Sequence, residues 1–183
     1  MLKDEQCIYA IMDFETNRLP TVGKDYKDRA LPIEVGVVLV NSDLEVLGVY
    51  ESLITHSNFS SQEQWHDNEK SAFDIHRIPL ELIKNQGEFP NKVTDHIDDL
   101  VAYHMNSNSL VNKCVMISDN VFFDFYMMQL LWGERKHPFH YAPMCMRMVR
   151  QLTGSHQDKA HRALPDAMRI YRELLISLER LSS

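Results

Sequence analysis

The stretch IYAIMDFETNRL, Ile8 to Leu19, constrains the fold more than any other part of the chain. Read at the two-residue period of a strand, Tyr9, Ile11, Asp13 and Glu15 share one face, and Ile8, Ala10, Met12 and Phe14 share the other. A strand apolar on both faces needs cover on both sides, which predicts a central strand with layers above and below. The run also ends in two carboxylates on one face, with no Lys or Arg on the strand to neutralise them. Buried carboxylates are costly unless paired or bound to a cation. Either the strand ends here and both groups are solvated, the commoner case for an isolated Asp-x-Glu, or the pair faces a hard, oxygen-seeking cation such as Mg²⁺ or Mn²⁺.

The remaining pattern supplies partners for this strand. After a loop rich in Pro, Gly and charge (Asn17 to Pro32), IEVGVVLV (Ile33 to Val40) reads as a second strand. NSDLE carries turn chemistry, and Glu45 to Ile54 reads as a third strand, giving an antiparallel meander. Residues 56 to 70 are polar loop, and 71 to 87 look helical in pieces, interrupted at Pro79. Val93, Ile97, Leu100, Val101 and His104 recur at helical spacing, which predicts an amphipathic helix over 91 to 105. CVMIS (Cys114 to Ser118) reads as a short buried strand. Asp119-Asn120 offers an N-cap, and VFFDFYMMQLLW continues as a helix. A helix over 144 to 152 ends at Gly154. A last helix from Leu164 to Leu181 has Pro165 in its first turn, with Ala167, Ile170, Tyr171, Leu174, Leu178 and Leu181 as its buried stripe. A meander followed by alternating strands and helices makes a mixed α/β sheet with helices on both faces.

The 183 residues suffice for one domain with a sizeable core. No apolar segment is long enough to span a membrane, and no signal peptide is evident. Three scattered cysteines, Cys7, Cys114 and Cys145, argue against a disulfide framework and fit a reducing cytoplasm. The formal charge of -7 argues against nucleic-acid binding through bulk positive charge. The distribution softens this: eight Lys or Arg lie between Glu134 and Arg172 with three acids among them, which reads either as a binding face or as a solvated basic face.

Two later elements change the weight of the first pair. Asp124 sits in a helix among Phe122, Phe123, Phe125, Tyr126, Met127 and Met128, which leave little polar face for it. In HRALPDA, His161 precedes the last helix and Asp166 lies in its first turn. The macrodipole favours an anion there, and His161, in the preceding loop, can turn toward the same site. Other candidates are weaker. HPFH (His137 to His140) and the histidines at 56 and 66 read as solvated loop groups rather than metal pairs. PMCMRMV (Pro143 to Val149) reads as core methionine rather than a soft-metal site.

Taken together, these residues resemble the DEDDh branch of the DnaQ-like, or RNase T-like, 3′–5′ exonucleases. DFETNRL resembles the family's first motif, DxETTGL, and IEVGVVLV the strand that follows it. AFDIHRIPLELI (Ala72 to Ile83) is similar to the stretch around its mid-chain His-Gly. DNVFFD resembles its NxxFD motif and HRALPDA its HxAxxDA motif. The match runs from Ile8 to about Leu175. Arg18 stands where the family has Gly, Arg77 where it has the Gly after the mid-chain His, and Asp119 where it has a His. The stretch between MCMRMVRQL and HRALPDA is short.

The resemblance implies a ribonuclease H-like fold, a mixed five-stranded sheet with helices on both faces, in a single exonuclease domain over 1–183. It implies two divalent ions, Mg²⁺ or Mn²⁺, held by Asp13, Glu15, Asp124 and Asp166, with His161 as general base. The expected reaction releases nucleoside 5′-monophosphates from single-stranded DNA or RNA 3′ ends, with Thr16, Leu19, His76 and Asn120 near the terminal nucleotides. Relatives are often dimers, which makes a homodimer an expectation, and no polymerase partner is identified. Two other functions stay open: a nucleic-acid-binding or proofreading-type accessory module without turnover, and a ribonuclease H-like endonuclease. The intact set of five residues argues against the first, and the HxAxxD spacing against the second.

Overall fold

The computed structural model describes residues 5–18, 30–57, 59, 72–154 and 158–182. The strands are β1 (Cys7–Thr16), β2 (Pro32–Val40), β3 (Val46–Leu53), β4 (Lys113–Ser118) and β5 (Met144–Cys145). The helices are α1 (Ala72–His76), α2 (Leu80–Gln86), α3 (Pro90–Ser107), α4 (Val121–Trp132), α5 (Met146–Thr153) and α6 (Ala163–Ser182). They build one five-stranded sheet in the order β3-β2-β1-β4-β5, antiparallel across β3, β2 and β1 and parallel across β1, β4 and β5. β1 is the middle strand, as its two apolar faces require. Among the described residues, no helix is long and apolar enough to cross a membrane.

The alternation along β1 divides the core. Ile8, Ala10, Met12 and Phe14 pack with Val93, Ile97 and Val101 of α3 and Met127, Met128 and Leu131 of α4. Tyr9 and Ile11 pack with Met146 of α5 and Ala167, Ile170 and Leu174 of α6. Asp13 and Glu15 continue the Tyr9–Ile11 face, so the same period that buries the strand aims both carboxylates at the layer of α6. A smaller group, Ile33, Phe59, Ile78, Leu80 and Ile83, fills the space under α2.

Several sequence expectations shift. Leu181 does not extend the α6 stripe; it is 64% exposed. Residues 144 and 145 form β5 instead of opening a helix, and Met148 is 67% exposed although Met146 is buried as expected. The aromatic run around Asp124 is not a buried belt: Phe122 is 88% exposed and Tyr126 also faces solvent, while Asp124 itself is buried. The His137 ring stacks on Phe139, whose ring meets Trp132 edge-on, so HPFH serves packing. His56 contacts the Pro32 carbonyl, and His66 lies outside the described residues. Arg77 adopts φ +54, the left-handed conformation that favours glycine, at the position where the resembled family has one.

Gly36 faces Asp13 across the β1–β2 ladder. A Cβ there would lie 2.3 Å from the backbone of Ala163 and Leu164, so glycine alone lets the start of α6 rest on the sheet beside β1. Gly36→Ala is expected to destabilise the fold by about 1–3 kcal/mol by forcing α6 outward, read as a lowered midpoint in urea denaturation. A wild-type midpoint would show that the approach is looser than this.

Candidate active site

The carboxyl end of β1 lies beside that of the parallel strand β4, and α4 starts from β4's end, the general location of ligand sites in open α/β sheets. A cavity of about 250 Å³ opens here, lined by Asp13, Phe14, Glu15 and Thr16 of β1, Ala72 and Ile75 of α1, Asn120, Phe123 and Asp124 at the start of α4, Arg147 of α5, and Lys159 and His161. Asp13, Asp124 and Asp166 are 6%, 2% and 1% exposed, and Glu15 is half-buried. Ligand atoms of Glu15, His161 and Asp166 lie within 4.8 Å of one another, the one such group among the described residues, and Asp13 and Asp124 line the same cavity as Glu15 and His161.

The acids strain against each other. Burial, then the charge of Asp124, raises the Asp13 carboxyl well above the usual carboxylate range. Burial, then Glu34 and Asp166, pushes Glu15 up to about 7. Burial pushes Asp124 to about 7 against the pull of the Ser118 hydroxyl, Lys159 and the Asn120 and Phe14 amides. The Asn120 amide donates to Asp124 Oδ2 at 3.3 Å, while Oδ1 is buried without a hydrogen bond of good geometry.

The start of α6 is held in place by a charged clamp. Glu34 is fully buried on β2, next to Glu15 in register. Its carboxylate accepts from the Ala163 amide at 2.9 Å, capping the helix, and from Arg162 Nε and Nη2 at 2.9 and 2.5 Å. Asp166 then braces the turn before the helix. Its oxygens accept from the Ala160 and Arg162 amides at 3.1 and 3.3 Å, on either side of His161, which has φ +55. Arg169 Nε donates to Asp166 Oδ1 at 3.0 Å and Arg169 Nη1 to Glu173 at 3.0 Å.

Behind the cavity lies a second set of charges. Buried Asp119 pairs with Arg150, with Lys159 at 3.3 Å and with Arg169 at 3.6 Å, and Arg150 also meets Glu173. The basic run between 134 and 172 is divided. Arg150 and Arg169 are internal counter-ions, half-exposed Arg162 grips buried Glu34, and Arg135 is engaged at the surface with Asp95 and Asp98. Arg147 and Lys159 remain as the cations lining the cavity.

Among the residues expected at the terminal nucleotides, Thr16 and Asn120 line the cavity, with the Thr16 hydroxyl donating to the Arg18 carbonyl. His76 is buried; its Nδ1 accepts from the Ile78 amide, and burial lowers its pKa to about 4. Ala72 and Ile75 of the same helix reach the cavity instead. Leu19 lies outside the described residues. Sequence reasoning passed over Glu34, Gly36, Lys159, Arg162 and Arg169. For the first two a signal existed: one acid inside an apolar strand, with a glycine two residues later on the same face.

The donor set fits divalent cations. Four carboxylates of hard oxygen converge with one imidazole, burial shifts the protonation of three of them upward, and one buried oxygen of Asp124 lacks a proper donor. Asp13, Glu15, Asp124 and Asp166 would hold them.

No family model matches the chain, and no curated protein matches it in sequence. Solved structures do match in fold. A 3′-exonuclease structure on 3′-end-specific recognition of a histone mRNA stem-loop aligns at TM-score 0.69 and 15% identity, over 98% of this chain and 66% of that one, just short of two thirds of its length. The nuclease domain of 3′hExo, a DEDDh family member bound to rAMP, aligns at TM-score 0.64 and 17% identity over 94% and 92%. The zinc-bound E. coli exonuclease I–ssDNA complex aligns at TM-score 0.64 and 15% identity, over 97% of this chain and 41% of that one. The chain thus has the α/β fold of DEDDh-type 3′ exonucleases, as its motifs led us to expect.

The shifted acids set a pH dependence. A carboxyl whose folded pKa lies above its unfolded value binds more protons when folded, so stability falls as pH rises from the unfolded value through the folded one. For Glu15 and Asp124 that window runs from the ordinary carboxylate range to about 7. In chelator, the melting temperature should fall between pH 5 and 8. Mg²⁺ should restore it at pH 8 and do little at pH 5. Flat melting in chelator across this range would contradict the electrostatics described.

Proposed function

We propose that the chain is a metal-dependent 3′–5′ exonuclease that releases nucleoside 5′-monophosphates from single-stranded DNA or RNA. The observation that carries this is the convergence of four segments: Asp13, Glu15, Asp124 and His161 line one cavity, and Asp166 groups with Glu15 and His161. Divalent cations, Mg²⁺ or Mn²⁺ and two in number, would supply Lewis acidity toward water and the phosphodiester when bound.

The chain's own groups do the rest. Asp13 and Asp124, buried on the central strand and on α4, give the rigid part of the ligand set, because neither can move without disturbing the core. Glu15 is less enclosed and adjusts as substrate enters. His161 lies within reach of Glu15 and Asp166, and it is exposed, so its imidazole can take a proton from the attacking water and pass it to solvent. Attack at phosphorus forms the new P–O bond, the bond to the 3′ oxygen breaks, and that oxygen takes a proton from solvent so that the shortened strand leaves with a 3′ hydroxyl. Thr16 and Asn120 in the lining, with Ile75 and Phe123 as apolar walls, suit a terminal nucleoside held by contact with its base and sugar. These walls carry no base-edge code, which fits a substrate of any sequence.

Single-stranded DNA and RNA labelled at the 5′ end provide the test, incubated with Mg²⁺, Mn²⁺ or chelator. A ladder shortening from the 3′ end is expected, absent in chelator and in Asp124→Ala. Discrete internal cuts would assign an endonuclease, and tight binding without cleavage in either metal an accessory module. His161→Ala should keep metal-induced stabilisation, seen as an unchanged thermal shift, and lose about 10²–10⁴-fold in rate. Full activity in that variant would remove His161 from the reaction.

A further inference from the structure

Lys159 lines the cavity beside Asp13, Glu15, Asp124 and His161, and the reaction described above gives it no task. Its ammonium lies 3.3 Å from Asp119 Oδ2. Asp119 is buried and also pairs with Arg150 and Arg169, so three cations surround one carboxylate. Asp119 therefore tethers the ammonium without being its full counter-charge. An ammonium carries three N–H donors, and the pair with Asp119 engages one side of it. Lys159 shares the cavity with Asp13, Glu15 and Asp124, so its charge stands beside the groups that would hold the cations. Arg147, the other cation of the lining, lies exposed on α5; Lys159, two residues before His161, is also exposed in part, but its ammonium is tethered to Asp119.

Resting on the exonuclease reading, we propose that Lys159 is a catalytic residue that contacts a non-bridging oxygen of the scissile phosphate, with Asp119 setting the position of its ammonium. When cations occupy the carboxylates, the anion left for Lys159 is the phosphodiester itself. A charge-assisted donor on that oxygen strengthens as negative charge develops there, which is the condition for accelerating the step. A lysine suits an oxygen that moves as the phosphorus centre inverts, because its compact charge needs no fixed fork geometry. The product 5′-phosphate keeps the same oxygens, so mononucleotide binding reports the contact without turnover.

The full chain in Mg²⁺ serves for the test, with Lys159→Gln and Lys159→Arg. AMP binding is measured by calorimetry, with adenosine as the phosphate-free control. Turnover is measured on the p-nitrophenyl ester of thymidine 5′-monophosphate, which has one phosphate, and on a 5′-labelled oligonucleotide. Lys159→Gln should weaken AMP about tenfold or more, leave adenosine unchanged, and slow both substrates by a common factor of about 10². Lys159→Arg should recover part of both effects. The Gln variant should melt as wild type does, since Asp119 keeps Arg150 and Arg169, and the AMP–adenosine difference is insensitive to a general loss of stability. Unchanged AMP affinity, or a loss confined to the oligonucleotide, overturns the assignment; the latter makes Lys159 a strand contact. A wild-type enzyme that cleaves while Lys159→Gln is unimpaired overturns this proposal alone. A wild-type chain that neither cleaves nor binds AMP overturns it together with the exonuclease reading.

Discussion

The seating of α6 on β2 decides where the groups of the candidate site stand. Gly36 removes the side chain that would hold the two backbones apart, and Glu34 supplies the carboxylate that caps Ala163 and grips Arg162. With the helix start held against the sheet, the turn before it has one place to go, and Asp166 fastens that turn through the amides on either side of His161. Asp13 and Glu15 come from the strand next door. The site is thus a junction between a strand end and a helix start, and its precision comes from one close backbone approach and one buried acid.

The same anchor adds to the site's electrostatic tension. Glu34 lies beside Glu15 in register and is the second cause, after burial, of its raised protonation. Asp124 arrives from the opposite layer and adds to the load on Asp13. A core selected for stability alone would not gather these anions, because each loses hydration and gains a like-charged neighbour. A bound cation would relieve that tension. The charges behind the cavity behave differently. Arg150, Arg169, Asp119 and Glu173 compensate one another over short distances, so the rear wall is rigid while the front remains short of positive charge.

Much of the fold is legible in the sequence. The order of strands and helices and the central place of β1 follow from period-two and helical patterns, and motif resemblance singles out the five candidate residues that the structure brings near one another. What misled was the reading of exposure from composition. The aromatic residues around Asp124 argued for a helix with little polar face, yet Phe122 and Tyr126 face solvent and the acid is the buried group. The basic run near the end reads as a surface, yet Arg150 and Arg169 are internal and Arg162 is held by a buried acid on another element. Local pattern cannot show such pairs, because a counter-ion 128 positions distant, as for Arg162 and Glu34, leaves no periodic trace.

By itself, the sequence determined that Asp13 and Glu15 lie on one face of a buried strand, since alternation along an extended backbone is a local property. It also determined which later residues share their chemical type and motif context. Tertiary structure alone decided that these groups meet, that Glu34 and Gly36 are the reason they can, and that Lys159 is brought to the same cavity by Asp119. Those outcomes depend on how two layers close over the sheet, which is a matter of backbone approach and long-range charge pairing rather than of any local repeat.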